Sequence, residues 1–468
     1  MVLNTFVIYE YIYNIFIKII TKMKKVLFFN LVLFFSTLAF GQKSLLESGP
    51  MVGYSEMREV QLWVQTKSIA NVQIAYWEQN VENPDTFQTE KIQTNKKSAY
   101  TAKLLADEVL PDKFYFYQLR INDEVIPFDY DLTFQAQPLW QWRTDPPAFK
   151  FALGSCAYIN ETRFDRPGKP YGSEYEIFQS IADQKPNMML WLGDNIYLRE
   201  ADWYTRTGIF HRYTEVRKVP EIQELLANSH HYATWDDHDF GPNNSDRSFI
   251  HKDKTQEAFE LFWANPTFGL PDLDGKGITT QFLFHDIEFF LLDNRYFRSP
   301  PDVEDETMLG EQQIEWLIEA LSNSYSPFKM IAIGSQVLNT HGGSENYARY
   351  EKERAYLMKR LEEENIKGVI FLTGDRHHTE LSRVETESGY VMYDLTVSAL
   401  TSGTNTRADK EPNKNRVEGT LAMEHNFAIV EVTGKRKERV LTINIHDTEG
   451  EVLWTRKIDS AEFWKKKK

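Results

Sequence analysis

Polar and apolar residues alternate along the chain from about Gly49 to Trp142. The runs Val60–Gln65, Val72–Trp77 and Phe114–Arg120 show the period of two that half-buried strands require, and turn residues separate them. This predicts a small all-β, immunoglobulin-like sandwich over residues 42–145. Pro146-Pro147 reads as a linker. Beyond it the rhythm changes. Phe149 to Gly154 is a short apolar strand, and Ser173-Glu-Tyr-Glu176 is a capping-box pattern that predicts a helix to about Gln184, where Lys185-Pro186 ends it. Met188–Leu192 is a second apolar strand, which makes a βαβ unit with parallel strands. The alternation continues with a helix near Pro220–Ala227 and a strand at His231–Trp235. An antiparallel hairpin is expected within Gln281–Leu292. A helix at Gln312–Leu321, a strand at Lys329–Ile333, a charged helix at Arg349–Glu364 and a strand at Val369–Thr373 follow, then a strand-rich stretch from Tyr393 to Ile445. The fold class is α/β over 146–456, preceded by the β domain, with a basic carboxyl-terminal tail at 457–468, solvated at its end Lys465–Lys468, and no internal repeat.

Composition narrows the function. The chain has 468 residues, 42% of them hydrophobic, and carries a formal charge of −15. Nucleic acid is therefore not required as a partner, since a phosphate backbone selects a basic face. An acidic protein still binds phosphate where metal ions supply the positive charge. Near the amino terminus, Lys22-Met23-Lys24-Lys25 precedes the apolar run Val26–Phe40 and then Gly41-Gln42. This is the form of a secretory signal peptide, and Met23 is the expected initiator behind an upstream mis-start in residues 1–41. The run falls short of the roughly 20 residues of a membrane span, so cleavage leaves no stable span. Export to the periplasm, cell surface or medium is expected, as a monomer.

Cys156 is the single cysteine. In an exported chain a lone thiol is either buried inertly or held by a metal. Its position bears on the choice, because several apolar strands end in small residues followed by metal-donor types. Phe149–Leu153 leads to Gly154-Ser-Cys156, and Met188–Leu192 leads to Gly193-Asp194-Asn-Ile-Tyr197. His231–Trp235 leads to Asp236-Asp237-His238-Asp239 and then Pro242-Asn243-Asn244. Val369–Thr373 leads to Gly374-Asp375-Arg376-His377-His378. Ligands of open α/β sheets bind beyond the carboxyl ends of strands, so one rim would receive all four loops. Each motif alone has a plainer reading. Gly-Asp after a strand makes a turn and caps a helix, and a His pair is either solvated or satisfied in the core. Three carboxylates within four positions repel unless cations neutralise them. Thiolate and phenolate donors suit iron or zinc, whereas carboxylates and Asn amides suit calcium or manganese.

Gly-Ser-Cys156, Trp191-Leu-Gly-Asp194-Asn-Ile-Tyr197, Trp235-Asp-Asp-His238 with Asn243-Asn244, and Gly374-Asp375-Arg-His377 resemble the alkaline phosphatase D (PhoD-like) metallophosphatases. Leu292-Asp-Asn-Arg295-Tyr-Phe-Arg298 and Leu309-Gly-Glu-Gln312-Gln-Ile-Glu-Trp-Leu317 fit the same pattern. The resemblance implies a calcineurin-like αββα sandwich and a multi-metal site holding Fe3+ and Ca2+, with Zn2+ or Mn2+ as alternatives. It implies hydrolysis of small phosphomonoesters, phosphodiesters or both by a metal-activated water. By the same resemblance Cys156 and Tyr197 bind the iron-type ion and Asp194 bridges. Asp237 and one of Asn243 or Asn244 bind a neighbouring ion, and Asp375 and His377 complete the cluster. His238 takes the place of a general acid or phosphate stabiliser. Arg376 either reaches phosphate or faces solvent, and Arg295 is expected to hold structure. Asp239 stands where the pattern suggests Glu. A dedicated phosphodiesterase of phospholipase type and a non-enzymatic surface binding protein are the competing readings.

Overall fold

The computed structural model describes residues 45–343 and 345–464. The signal peptide expected in residues 1–41 and the lysines at 465–468 lie outside the described residues. Two sheets stack face to face at the centre. The first has nine strands in the order Val452–Asp459, Val440–His446, Phe427–Thr433, Phe149–Gly154, Met188–Leu192, His230–Thr234, Leu46–Ser55, Val60–Thr66, Thr101–Ala106. The second has six: Thr280–Phe284, Ile287–Leu291, Lys329–Ile333, Val369–Thr373, Val391–Thr396, Glu380–Glu385. Phe151 pairs with Met188 and Lys329 with Val369 in parallel registers, as the βαβ reading requires.

The central parallel strands are buried on both faces, which explains their unbroken apolar runs. Phe151, Leu190, Phe289, Met330 and Leu372 fill the space between the sheets. Helices Glu176–Asp183, Arg206–Arg217, Gln223–Asn228 and Lys252–Phe262 cover the outer face of the first sheet through Phe178, Tyr213, Leu226 and Phe259. Helices Glu311–Asn323 and Glu351–Glu363 cover the second through Ile314, Leu317, Leu357 and Leu361. The result is the αββα arrangement with an all-β region before it.

The amino-terminal region differs from a separate sandwich in one respect. Its strand Leu46–Ser55 pairs in parallel with His230–Thr234 through Val52 and His230, and antiparallel with Val60–Thr66 on its other side. Half of the sandwich is thus the continuation of the nine-stranded sheet. Its other half, built on Asn71–Glu78 and Phe114–Ile121, packs Val72, Ile74 and Leu119 onto Leu62, Val64 and Leu104. The Pro146-Pro147 segment, expected as a linker, is clamped. The buried Arg439 guanidinium donates to the Pro146 and Pro147 carbonyls at 3.3 and 2.9 Å and pairs with Asp286 at 2.7 Å.

Three further local expectations change. The helix after Ser173 begins at Glu176, and Ser173 bonds backbone carbonyls instead of capping it. Helices Arg206–Arg217 and Lys252–Phe262 form where no helix was read. Buried Arg212 and Arg217 interrupt the apolar stripe of the first, with Arg212 bonded to Asp202 and Arg217 to the Phe262 carbonyl. Residues 457–464, expected within the tail, belong to the fold. The last strand runs to Asp459, and Phe463 in the following turn is buried against Phe328 and Tyr393. No described helix is long and apolar enough to cross a membrane.

Candidate active site

The strand ends approach one another so closely that glycine is needed between them. A Cβ on Gly334 would lie 2.4 Å from the carboxyl carbon of Asp236, and Gly193, at φ 96°, would meet the Asp236 Cβ at 2.8 Å. The residues that follow turn sharply. Cys156, Asp194, Asp375 and His377 all take left-handed backbone conformations, with φ of 61°, 50°, 67° and 55°. For residues with a Cβ this costs on the order of 1 kcal/mol each, and such strain collects where surrounding structure over-determines the backbone.

One corner of the site is formed by Cys156, Asp194, Tyr197 and His377. Cys156 Sγ lies 3.6 Å from Asp194 Oδ2 and accepts from the Ser398 hydroxyl at 3.1 Å. The Tyr197 hydroxyl is 3.3 Å from the same Asp194 oxygen and 3.3 Å from His377 Nε2. The other Asp194 oxygen accepts the His238 amide at 3.2 Å. His377 Nδ1 bonds the Gly403 carbonyl. A carbonyl only accepts, so Nδ1 carries the proton and the Nε2 lone pair faces the corner. Burial pushes the Cys156 thiol up to about 12, and the Asp375 charge adds to it. Asp194 is raised well above the carboxylate range, first by burial and then by Asp237 and Cys156. Tyr197 is raised by burial and then by Cys156 and Asp194.

The adjoining corner has its own cation. Arg295 is fully buried among three carboxylates. It bonds Asp236 through Nε, lies 2.6 Å from Glu345 and 3.8 Å from Asp237. Arg298 adds a contact to Glu345 at 3.1 Å, and Asn294 donates to Asp236 at 2.8 Å. Burial alone would raise Asp237. The positive charges of His238 and Arg295 and the Asn244 amide, 2.6 Å from Oδ2, outweigh it and hold this carboxyl well below its ordinary value. The triple-acid motif is therefore divided. Asp236 is paired with Arg295. Asp239 accepts the amides of Asn195 and Asp236 at 3.2 and 3.0 Å, and burial pushes it up to about 8. Asp237 alone of the three is held below its ordinary value, so cations are needed there for one acid and not three.

The donor set suits metal ions. Cys156, Asp194 and His377 offer ligand atoms within 4.8 Å of one another, and so do Asp194, Asp237 and His238, and Asp236, Asp237 and Asp375. Asp236 Oδ2, Asp237 Oδ1 and Glu345 Oε1 are buried with no hydrogen-bond partner. Buried acceptors are rarely left so, and a cation would satisfy them.

A cavity of about 270 Å³ opens beside Glu345, Asp375 and His377, walled by Tyr171, Arg376 and Asn405. Arg376 pairs with Glu411 at 2.8 Å while its buried Nε has no partner, which leaves one edge of the guanidinium as a donor. His238 lies over Tyr197, with ring centroids 4.2 Å apart. Asn243 and Asn244 sit on an exposed turn, and the contact recorded for the pair is the Asn244 amide to Asp237. Sequence reading did not assign Asp236, Asn294, Glu345, Tyr171, Ser398 or Glu411 to the site. Of these, Asp236 and Asn294 stood inside recognised motifs.

Comparison with known proteins agrees with this geometry. Residues 151–443 match the model of the PhoD-like phosphatases. The chain belongs to the PhoD-like phosphatase family. Residues 43–139 match a separate model, described only as a domain of unknown function. Alkaline phosphatase D of Bacillus subtilis (strain 168) is 22% identical over 373 residues, which are 68% of this chain and 61% of that protein. The chain thus spans about three fifths of the length of that curated relative. The solved structure of PhoD superposes with a TM-score of 0.73 at 16% identity, covering 89% of this chain and 92% of the other. That likeness extends through the αββα body and the β region before it.

Proposed function

We propose that this PhoD-like protein is an exported, metal-dependent phosphoesterase that hydrolyses phosphomonoesters, phosphodiesters or both with water. One observation carries the reading: a thiol, a phenol, an imidazole and several carboxylates are buried together, with three carboxylate oxygens unpartnered, next to an open cavity. Cys156, Tyr197, Asp194 and His377 would hold an iron-type ion. Asp237 and Asp375, with Asp194 shared, would hold a harder ion such as calcium, with zinc or manganese as substitutes. Such ions supply positive charge to phosphoryl oxygens and acidify water. For Asn243 and Asn244 a ligand role would need their exposed side chains to swing inward.

The chain's own residues do the rest. Arg376 presents its free guanidinium edge to a phosphoryl oxygen while Glu411 fixes the other edge. His238 stands beside Asp237 and holds an N–H for a phosphoryl or leaving oxygen. Arg295 and Arg298 hold Asp236, Asp237 and Glu345 in place without touching substrate. Export rests on the basic and apolar pattern of residues 22–42. Purified protein should hydrolyse a chromogenic phosphomonoester or diester, lose that activity to chelator, and contain iron and calcium by elemental analysis. Rates on the two ester types separate a general phosphatase from a dedicated diesterase. Full activity and unchanged metal content in Cys156→Ala would overturn the assignment of the thiol.

A further inference from the structure

The pole of the molecule opposite the site carries features that catalysis leaves unused. Cys156 follows the carboxyl end of strand Phe149–Gly154, so Phe149 and its partner Val432 mark the far end, on the order of 20 Å away. At that end the turn Thr433–Glu438 is fully exposed and contains Lys435, Arg436 and Lys437. Arg436 reaches over Trp140 and Trp142, 5.7 and 5.6 Å from their ring centroids. Trp140 is buried and fixed by its bond to the His285 carbonyl at 3.1 Å, whereas Trp142 is 89% exposed beside exposed Arg143 and Leu139.

Two other aromatic rings crown the same pole. Strand Val440–His446 begins where Val452–Asp459 ends, since Val440 pairs with Asp459 and the Ser460 amide donates to Arg439. The turn from Ser460 carries Trp464, 63% exposed, and Phe463 of that turn packs on Phe328. Tyr325, fully exposed, lies three residues before Phe328 at the amino end of strand Lys329–Ile333. Against the basic residues stand Asp145, which accepts the Arg436 amide at 3.2 Å, and Glu438. On the turn of Trp464 the acids are Asp459 and Glu462, so the positive surplus is confined to the surroundings of Trp142, where Arg143, Lys435, Arg436 and Lys437 face Asp145 and Glu438.

We infer that this pole docks the protein on an anionic lipid surface, with the active-site cavity facing away from the bilayer. The exposed Trp142 ring among Arg143, Lys435, Arg436 and Lys437, with Tyr325 and Trp464 exposed singly on the same pole, suits the headgroup layer, where amphipathic rings settle and Lys and Arg meet lipid phosphates. The rings form no continuous apolar patch of the kind that buries against a protein core. A symmetric pairing of two copies through this pole would set Lys435, Arg436 and Lys437 against their own equivalents.

Vesicle flotation of the full chain tests this. The run Val26–Phe40 would itself associate with lipid, so the reading is the difference between phosphatidylcholine vesicles and vesicles that also contain phosphatidylglycerol. The expected preference for the anionic vesicles is about tenfold or more, and it should fall as salt screens the contacts. Lys435→Glu, Arg436→Glu and Lys437→Glu combined should abolish it. Trp142→Gly should weaken it several-fold, and because Trp142 has φ 64° this change relieves backbone strain and leaves the fold intact. Both variants should hydrolyse a soluble phosphate ester at the parent rate. Amide exchange should slow at residues 139–145 and 433–438 on anionic vesicles. Equal partition to the two vesicle types, a preference untouched by the triple variant, or lipid-independent dimers lost in Trp142→Gly would each overturn the inference.

Discussion

The two corners of the site bury similar numbers of acids in opposite ways. Around Asp236, Asp237 and Glu345, Arg295 and Arg298 are built in, and Asp237 is held ionised. Around Cys156, Asp194 and Tyr197 no Lys or Arg bonds a side chain among the described residues, Arg199 reaching only the Tyr197 carbonyl, and all three groups are pushed toward their protonated forms. The difference lies in which charges the fold supplies and which it leaves to be supplied. One corner is organised before any ion arrives. The other is a set of donors that keep their protons until a cation displaces them.

Removing the internal cation should have the largest effect on stability. Arg295→Met leaves Asp236, Asp237 and Glu345 buried without a partner, at a cost of about 3–5 kcal/mol. Urea unfolding measures it, and a loss under 1 kcal/mol would break the distinction between the corners. Cys156→Ala should act on the other corner in the reverse sense, leaving unfolding stability within about 1 kcal/mol while activity falls at least about 100-fold and iron content drops.

Asp394 sharpens the comparison from outside the site. It accepts the Val337 and Leu338 amides, both at 2.8 Å, and the Thr373 hydroxyl at 2.8 Å, yet no cation bonds it, and burial pushes it up to about 6. A carboxyl raised in the folded state binds its proton more tightly there than when unfolded. Its contribution is therefore present below about pH 4 and lost as pH rises through 6, amounting to roughly 2–3 kcal/mol. The unfolding free energy of the parent relative to Asp394→Asn should fall across that window, and a flat difference would refute the role of the missing cation. The smallest effect is expected at the cavity wall. Glu411→Gln loosens one edge of Arg376 and should raise KM about three- to tenfold with little change in kcat.

The residues that the structure gathers here were legible because they follow apolar strands, three of the four through Gly. Cys156, Asp194, Tyr197, Asp237, Asp375 and His377 stand beside recognisable local patterns, and parallel sheets gather strand ends on one rim. Glu345 was not legible. It lies in a loop with no flanking strand, and its place depends on ion pairs to Arg295 and Arg298, some 50 residues away in sequence. Arg295 was expected to hold structure, and the carboxylates it bonds, Asp236 and Glu345, belong to the site. Helix Arg206–Arg217 escaped because its buried arginines break the apolar period that marks a helix. The continuation of the first sheet into the amino-terminal region also left no trace, because Leu46–Ser55 reads the same whichever neighbour it pairs with.

That shared strand makes the β region a side wall of the catalytic body. Hinge motion between the two would have to tear the ladder between Leu46–Ser55 and His230–Thr234 and pull Pro146-Pro147 from Arg439. Excising residues 45–145 would do more than remove a module. It would strip His230–Thr234, which leads into Asp237 and His238, of its neighbour and expose a raw sheet edge, the kind of surface through which chains join one another end to end.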